Sequence, residues 1–376
     1  MNVAILGFGT VGYGVYELTE KLDNVNVKYV LDLVKHDDIS AKSVTDIKEI
    51  LEDASVDTVV ELIGGKHPAY DFIKASLEAG KNVITANKLV ICEFYEELTK
   101  LAVSKGVALR YTAAVGGGIP WLTNLERTAR ISKVHKISGI FNGTTNYILD
   151  AMHTDGTAFA DALKTAQKLG FAEANPSSDI DGLDTQRKIA ISANIAFGVA
   201  INPEDVDVIG ISKVSAKAIS DFESHGYIAK LIATTVNKDG KISAYVEPTL
   251  VAKSSDFANV PQNYNLIAYD ADNVGHGSYM GFGAGRYPTA YTVTNDCIDV
   301  ANGVKKTYND TMDSVKPDNN AISHSYYISA AVLPDVMIKE KWNSGVVTEE
   351  MSVKEMHTLY KKMLESDPEA FIAGIY

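Results

Sequence analysis

The fold is decided by residues 3–12, which read Val3-Ala4-Ile5-Leu6-Gly7-Phe8-Gly9-Thr10-Val11-Gly12. Four consecutive apolar residues followed by a glycine-rich turn predict a buried strand. A helical pattern follows through Leu18 to Leu22, so the glycines lie between a strand and a helix. Glycine at the first, third and sixth positions of such a turn is typical of a doubly wound α/β fold that binds a dinucleotide.

Each glycine of this motif has its own physical reason. Gly7 permits a tight turn, Gly9 lets the backbone approach a pyrophosphate, and Gly12 lets the strand and the helix pack closely. The free N–H groups and the positive dipole end of the helix then meet the phosphate charge. We therefore predict that a nucleotide cofactor binds along the turn, at Gly7, Phe8, Gly9, Thr10, Val11 and Gly12.

Apolar runs alternate with helical patterns as far as about residue 115, as in a parallel sheet. Further strands are predicted at 25–31, 58–63, 82–85 and 107–111. Asp32 ends the second of the predicted strands, where an acid accepts hydrogen bonds from an adenosine ribose, and Gly64 and Lys88 follow later strands, where ligands collect. We predict a Rossmann NAD(P)-binding domain over residues 1–130, to which a helix within 286–304 returns.

Composition narrows the class of protein. The 376 residues are 46% hydrophobic and 22% charged, which predicts a globular chain of two domains or more. The net charge of −13 argues against nucleic acid or an anionic membrane surface as a partner. Two cysteines cannot form a disulfide framework, which favours a reducing, cytoplasmic location. The most apolar helical stretch, 189–201, is too short to span a membrane.

The pattern changes after about residue 131. Strands are predicted at 133–142, 241–252, 265–269 and 277–281, and helices at 159–169 and 182–197. We predict a second, α+β domain over 131–285 with an open, mostly antiparallel sheet. Residues 305–376 are predicted to form a polar linker, to about 324, and a short C-terminal extension.

Charged residues are dense in the segment Gly170-Phe171-Ala172-Glu173-Ala174-Asn175-Pro176-Ser177-Ser178-Asp179-Ile180-Asp181-Gly182-Leu183-Asp184-Thr185-Gln186-Arg187-Lys188. Asp184 and Lys188 are four residues apart and share one helical face. Such acids suit the ammonium group of a substrate. A lysine serves as a base when desolvation or a second cation, such as Lys88, lowers its pKa. Taken singly, each of these residues would be read as a solvated surface charge.

This segment closely resembles the signature of homoserine dehydrogenases, in which a Gly-aromatic-Ala-Glu-x-acid-Pro run leads to Asp-x-x-Gly-x-Asp-x-x-x-Lys. Asn175 departs from it, since an acid is usual there, and we expect that position to be structural. The resemblance covers residues 1 to about 300, and further similar blocks follow in the family's order at 85–88, 114–120, 139–149 and 283–290.

The resemblance implies reversible hydride transfer between L-homoserine and L-aspartate 4-semialdehyde, with NAD or NADP as cofactor. The resemblance implies that Lys188 exchanges the hydroxyl proton and that Lys88 lies beside the reacting centre. It implies that Asp184 orients the hydroxyl group or Lys188, and that Glu173 binds the substrate amine. It also implies a further substrate contact by Asp179 and a cofactor contact by Gly285. A homodimer formed through the open sheet is implied as well.

The resemblance also implies a sodium or potassium ion, because family members often bind one on backbone oxygens. The matching positions here are Val115, Gly117 and Ile119. In those family members a nearby glutamate completes the site, whereas this chain has Thr112 at the matching position. A simple hinge between domains is the alternative interpretation of the bend.

For the cofactor, NAD is favoured over NADP. Asp32 repels a 2′-phosphate, and Leu31 stands where an arginine often precedes that acid in NADP-dependent relatives. Lys35 and His36 are close enough in sequence to bind a phosphate instead.

Two other functions fit parts of the sequence. An aspartate-semialdehyde dehydrogenase would need a cysteine nucleophile, whereas Cys92 and Cys297 are better interpreted as buried apolar residues. A nucleotide-sensing regulator without catalysis would not need Lys88 and Lys188 together with the acids.

The C-terminal residues are predicted to be too few for a full ACT domain, the βαββαβ module through which threonine inhibits many family members. We expect one strand near 326–332 and one or two helices after 349.

Overall fold

The computed structural model describes residues 1–306, 308 and 313–376. Its strands are β1 (Asn2–Leu6), β2 (Asn26–Leu31), β3 (Lys42–Val44), β4 (Thr58–Glu61), β5 (Asn82–Thr85), β6 (Leu109–Arg110), β7 (Val134–Ile140), β8 (Val199–Ala200), β9 (Asp207–Val208), β10 (Tyr227–Lys238), β11 (Lys241–Ala252), β12 (Tyr264–Ala271), β13 (Gly275–Phe282), β14 (Asp313–Ser314), β15 (Ser323–His324), β16 (Tyr326–Ser329), β17 (Ile338–Lys341), β18 (Val346–Thr348), β19 (Met351–Ser352) and β20 (Phe371–Ile375). Its α-helices are α1 (Thr10–Thr19), α2 (Lys48–Leu51), α3 (Ala69–Glu78), α4 (Lys88–Glu93), α5 (Tyr95–Lys105), α6 (Trp121–Ala129), α7 (Gly143–Thr154), α8 (Phe159–Lys168), α9 (Ser177–Ile180), α10 (Leu183–Phe197), α11 (Ala216–Ser224), α12 (Arg286–Ala301) and α13 (Val353–Ser366).

The first compact unit is built on a parallel sheet. It comprises Met1–Ile131, Ile191–Ala200 and Phe282–Ser314. The strand order is β3-β2-β1-β4-β5-β6, and every neighbouring pair is parallel. This is the Rossmann order, which confirms the predicted fold class for this half. The order reverses between β1 and β4, so a crevice opens at the carboxyl ends of these strands.

Helix α12 packs back onto this sheet. Its residues Ala290, Val293 and Cys297 share a buried cluster with Val3 and Ile5 of β1. Glycine makes the close approach to α1 possible, since a methyl group at Gly14 would lie 3.1 Å from the side chain of Ala290. The helix predicted within 286–304 is therefore part of the core of the nucleotide-binding fold.

The second compact unit is built on a mixed sheet. It comprises Ser132–Ala190, Ile201–Gly281 and Val315–Tyr376. The strand order is β13-β12-β7-β10-β11-β20-β16-β18-β17, with β9 added beside β11. The long hairpin β10–β11 turns at Asp239 and Gly240, which both have positive φ angles (53° and 86°). Such a two-residue turn matches the twist of antiparallel strands and sets their register.

The C-terminal residues continue this sheet, so the expectation of a single strand there is wrong. β20 pairs in parallel with β11, and β16 and β18 extend the sheet to β17 at its edge. These strands are three to five residues long, and all four residues of β17 are exposed. Such short strands carry too little alternation of apolar and polar residues to be recognised in a sequence.

The predicted linker at 305–324 contains regular structure where it is described. β14 pairs with β8, and β15 pairs with β19 ahead of helix α13. Residues 307 and 309–312 of that prediction lie outside the described residues. Within the described part of the chain, no helix has the length and hydropathy needed to cross a membrane.

Candidate active site

The glycine turn after β1 is shaped to receive a phosphate group. Gly7 has φ +88°, and a methyl group there would lie 2.9 Å from the backbone of Ile63. At Gly12 a methyl group would lie 2.1 Å from the carbonyl oxygen of Gly7, whereas at Gly9 it would meet nothing within 4 Å. Gly9 therefore faces open space at the start of α1, which no side chain caps. The uncapped N–H groups and this open space fit the pyrophosphate of a dinucleotide.

Asp32 closes one side of this turn. Its Oδ2 accepts a hydrogen bond from the backbone N–H of Phe8 at 3.0 Å, and its Oδ1 accepts one from Leu33 at 2.6 Å. The ring of His36 lies against that of Phe8, with centroids 4.8 Å apart, and its Nε2 lies 3.4 Å from Asp32 Oδ2. The carboxylate is thus fixed beside the glycine turn, at the edge of the sheet where a ribose binds in this fold.

A buried acid organises the next two strand ends, and it was absent from the predicted site. Glu61 Oε2 accepts a hydrogen bond from the hydroxyl of Thr85 at 2.7 Å, and its Oε1 accepts from the backbone of Ile63 and Gly64. Burial raises the pKa of Glu61. An acid inside the apolar run 58–63 was the available sequence signal.

Lys88 follows the same strand ends. Asn87 accepts a hydrogen bond from the backbone of Val90 and donates one to the carbonyl oxygen of Gly65, which joins the two loops. Lys88 is the next residue and the first of α4, and it is half-buried. Gly285 belongs to the same unit and is the N-cap residue of α12. Its φ is +117°, a conformation that favours glycine.

The second unit brings three of the predicted residues together. Lys188 Nζ lies 2.7 Å from Asp184 Oδ2, and both side chains are more than nine-tenths buried. The same Nζ donates to the carbonyl oxygen of Phe141 at 2.7 Å. Asn142, which sequence reasoning did not single out, donates to Asp179 Oδ1 at 2.7 Å and to Asp184 Oδ2 at 2.8 Å. The cluster therefore holds one cation, two carboxylates and one amide.

Local backbone structure positions this cluster. Helix α10 begins just after Gly182, whose φ is +83° and whose α-hydrogen faces Val208 so closely that a methyl group would lie 2.8 Å away. Asp184 stands in the first turn of α10, where the helix dipole favours an acid. One turn later along the same face comes Lys188.

Glu173 lies outside that cluster. It is exposed, in the segment between α8 and α9, and its backbone carbonyl oxygen accepts a hydrogen bond from Gln167 at 3.1 Å. Asn175 caps the next turn, because its Oδ1 accepts hydrogen bonds from the backbone N–H and the hydroxyl of Ser177. This contact agrees with the structural role expected for Asn175.

The bend at 115–119 offers few ligands for a cation. The carbonyl oxygen of Gly117 accepts a hydrogen bond from the Thr292 hydroxyl at 2.7 Å, and that of Ile119 accepts one from the backbone of Trp121. Thr112 donates its hydroxyl proton to Asp296, 2.7 Å away. In the part of the chain that the structure describes, no group of three or more His, Cys, Asp or Glu residues is placed to hold a metal ion.

The nearby carboxylate is already neutralised. Asp296 Oδ1 lies 2.8 Å from the guanidinium of Arg110, and both side chains are buried. Burial raises the pKa of Asp296, and the charge of Arg110 opposes that rise. A monovalent cation would compete with Arg110 for this carboxylate, so Asp296 does not replace the glutamate that the resemblance implies.

Both cysteines are buried thiols outside any disulfide bond, and burial raises the pKa of the Cys297 thiol. A buried thiol of this kind is a poor nucleophile. The interpretation as an aspartate-semialdehyde dehydrogenase is therefore not favoured.

Comparisons with known proteins agree with this geometry. The family model "Homoserine dehydrogenase, NAD binding domain" matches residues 7–112, and the model "Homoserine dehydrogenase" matches residues 120–298. A homoserine dehydrogenase of Neisseria gonorrhoeae is 39% identical over 80% of this chain and 72% of its own length. Another, from Synechocystis, is 35% identical over 90% of this chain and 81% of its own.

Solved structures lead to the same family. The crystal structure of a homoserine dehydrogenase from Thiobacillus denitrificans superposes with a TM-score of 0.86, at 28% identity, over 100% of this chain and 98% of that one. The same family is therefore indicated by two family models, by relatives that match over most of their length, and by a shared fold. The chain belongs to the homoserine dehydrogenase family and is an NAD(P)-dependent oxidoreductase.

Proposed function

We propose that this chain interconverts L-homoserine and L-aspartate 4-semialdehyde, with Lys188 moving the proton. The observation that carries the proposal is the buried pair of Lys188 and Asp184, 2.7 Å apart, in a unit joined to a nucleotide-binding fold. Homoserine carries a primary alcohol, an ammonium group and a carboxylate. Its oxidation needs a base for the hydroxyl proton and a partner for the ammonium group.

The chemistry divides between the cofactor and the side chains. When bound, the nicotinamide accepts a hydride from the alcohol carbon or returns it to the aldehyde carbon. In oxidation, the neutral amine of Lys188 takes the hydroxyl proton while the C–O bond becomes a carbonyl group. In reduction, the ammonium form of Lys188 gives a proton to the carbonyl oxygen, which becomes the hydroxyl group again.

Asp184 and burial act on Lys188 in opposite directions. The carboxylate favours the ammonium form, whereas removal from water favours the neutral amine. A lysine under both influences can exchange a proton with a substrate in either direction. Asp184 also fixes where Nζ points, because Nζ is held between Asp184 and the carbonyl oxygen of Phe141.

The remaining polar residues receive the roles that the resemblance implies. Glu173 binds the substrate ammonium group, and its exposed carboxylate is accessible for that purpose. Asp179 is a further substrate contact. Lys88, the first residue of α4, stays a predicted catalytic residue.

NAD is the preferred cofactor in this proposal. The Asp32 carboxylate is fixed by two backbone N–H groups beside the glycine turn, and a fixed negative charge repels a 2′-phosphate and accepts hydrogen bonds from ribose hydroxyls. Gly7, Gly9 and Gly12 with the first turn of α1 hold the pyrophosphate.

No step of the reaction is assigned to a sodium or potassium ion, because Arg110 already pairs with the acid near the bend. Replacing sodium or potassium chloride by choline chloride at equal ionic strength should leave kcat and the melting temperature unchanged. A loss of either that is restored only by sodium or potassium would show that the bend at 115–119 holds an ion.

A homodimer is part of the proposal. The edge strand β13 exposes the apolar side chains of Met280 and Phe282, which are 58% and 46% accessible. An exposed apolar edge of a sheet is suited to pairing with a second copy. Light scattering coupled to size-exclusion chromatography should give the mass of a dimer, and the mass of a monomer would contradict this part.

The function is tested by following cofactor reduction. L-Homoserine should reduce NAD, whereas butan-1-ol, which has the hydroxyl group without the ammonium and carboxylate groups, should give no more than a trace. Equal rates with both alcohols would mean that the acids do not select an amino-acid substrate. No reduction by L-homoserine with NAD or NADP would contradict the proposed reaction itself.

A further inference from the structure

One side chain outside the predicted site contacts both acids of the cluster. Asn142 is 5% exposed and lies between the end of β7 and the start of α7. Its Nδ2 donates to Asp179 Oδ1 at 2.7 Å and to Asp184 Oδ2 at 2.8 Å. Its Oδ1 accepts a hydrogen bond from the backbone N–H of Thr145 at 2.9 Å. These contacts use both donors and the acceptor of the amide.

The orientation of this amide follows from charge. Turned the other way, its oxygen would face two carboxylates and its NH₂ group would face the N–H of Thr145. The N-cap bond therefore fixes the direction in which the two amide protons point. That bond belongs to α7, a twelve-residue helix, so the amide is anchored to a rigid element.

The residue before Asn142 completes the same frame. Phe141 is fully buried, and its carbonyl oxygen accepts a hydrogen bond from Lys188 Nζ at 2.7 Å. Lys188 in turn pairs with Asp184 Oδ2, the same oxygen atom that Asn142 contacts. Two adjacent residues, 141 and 142, therefore contact Lys188 and Asp184.

The backbone at this junction cannot easily shift. A methyl group at Gly143 would lie 2.5 Å from the carbonyl oxygen of Asn263. One turn along α7, Asn146 donates to the carbonyl oxygens of Val260 and Gln262, at 3.1 and 2.8 Å. The start of α7 is thereby fixed to the loop ahead of β12.

We propose that Asn142 is a positioning residue, which holds Asp184 and Asp179 in place with one neutral amide and so aligns Lys188 for proton transfer. The inference rests on the proposed roles of Lys188 and Asp184. A neutral donor is required, because it offsets the repulsion between two neighbouring carboxylates without adding a charge that would change the pKa of Lys188. Aspartate could still cap α7, but it would add a third negative charge and lose both donors.

The capping role and the positioning role can be separated by two substitutions. Asn142→Asp and Asn142→Ser both keep a side-chain oxygen that can accept from Thr145, so α7 stays capped. Asp cannot donate to the acids, and Ser can donate to only one of them. Asn175→Asp is the matched control, since Asn175 is exposed and contacts only the turn at Ser177 in its described side-chain hydrogen bonds.

We expect kcat for L-homoserine oxidation to fall by ~10- to 100-fold in both Asn142 variants, because misplacement of a catalytic group by about 1 Å costs that much. The Kd for NAD, measured by fluorescence titration, should change little. In Asn142→Asp the added charge stabilises the ammonium form of Lys188, so the rising limb of the kcat–pH profile should move to higher pH. Asn142→Ser should lack that movement, and Asn175→Asp should match the unmodified protein in kcat and in pH profile.

Two results would separate the claims. If Asn142→Asp and Asn142→Ser keep the kcat and the pH profile of the unmodified protein while Lys188→Ala is inactive, Asn142 does not position the cluster and the proposed reaction stands. If Lys188→Ala itself keeps its activity, the proposed role of Lys188 fails, whatever the Asn142 variants do. A fall in kcat together with an equal rise in the Kd for NAD would indicate general misfolding and would also overturn the positioning role.

Discussion

The glycine turn of the first unit and the charged cluster of the second unit are built in opposite ways. The turn consists of backbone from residues 7–12, and its shape comes from the absence of side chains at three positions. The cluster consists of side chains from residues 142, 179, 184 and 188, and its shape comes from hydrogen bonds among them. A turn of the first kind is damaged by adding atoms, and a cluster of the second kind is damaged by removing them or by changing their charge.

The second unit contains another network of the same kind, and its loss should have the largest effect on stability. Glu247 on β11 is fully buried and accepts hydrogen bonds from His324 and His357, at 2.9 and 2.8 Å. Tyr326 donates to the same carboxylate. Glu247→Ala should lower the free energy of unfolding by roughly 3–5 kcal/mol, because it leaves buried polar partners without their acceptor. Chemical denaturation of the two proteins measures the difference.

The sign of the pH dependence tests this network further. Burial by itself would raise the pKa of Glu247, but the hydrogen bonds from His324 and His357 lower it to about 2. A folded-state pKa below the unfolded value adds stability that is present above the unfolded pKa of about 4.3 and is lost as the pH falls toward 2. As the pH falls from about 4.3 to about 2, the free energy of unfolding of Glu247→Gln should therefore decrease less than that of the unmodified protein. An identical loss in both would mean that Glu247 is not charged in the folded protein.

A pair of alanine substitutions in the glycine turn should have smaller effects, which differ in stability but not in the direction of the change in NAD binding. Gly12→Ala places a methyl group 2.1 Å from the Gly7 carbonyl oxygen, so it should destabilise the protein by about 1–3 kcal/mol and weaken NAD binding. Gly9→Ala meets nothing within 4 Å and should leave the melting temperature unchanged while raising the Kd for NAD. Equal melting temperatures for Gly12→Ala and Gly9→Ala would contradict the packing reason given for Gly12.

Asp32→Asn should have a still smaller effect. It removes the charge beside the ribose site, so the kcat/KM ratio of NAD to NADP should fall roughly tenfold, the order of one charged hydrogen bond. Asp38→Asn is the control, because Asp38 is exposed on the same loop. A ratio that already favours NADP in the unmodified protein would overturn the preference and direct attention to Lys35 and His36.

Threonine should have no measurable effect. Residues 330–337 join β16 to β17 without a helix, so the C-terminal strands carry one helix, α13, where a complete βαββαβ module has two. We expect kcat/KM for L-homoserine to stay constant as millimolar threonine is added. Saturable inhibition by threonine would show that the shortened module still binds an amino acid.

The same contrast explains what the sequence could predict. The glycine turn, Asp32 and the helical face shared by Asp184 and Lys188 are local features, within six residues or at the end of one strand. The periodicity of strand and helix is enough to predict their positions, whereas the roles of Asp184 and Lys188 come from the resemblance. Asn142 and Asp184 are 42 residues apart in the chain, and their hydrogen bond depends on how β7, α7 and α10 pack. The C-terminal strands were missed for a related reason, since their pairing with β11 and with one another is non-local.

The central claim is that Lys188 moves the proton. The most direct test is single-turnover reduction of NAD by L-homoserine in Lys188→Ala, with Lys164→Ala on the exposed face of α8 as the control. We predict a rate lower by ~10²–10⁴-fold in Lys188→Ala, the usual contribution of proton transfer by a side chain, with an unchanged Kd for NAD. Lys164→Ala should match the unmodified protein. A Lys188→Ala rate within a few-fold of the unmodified protein would contradict the account.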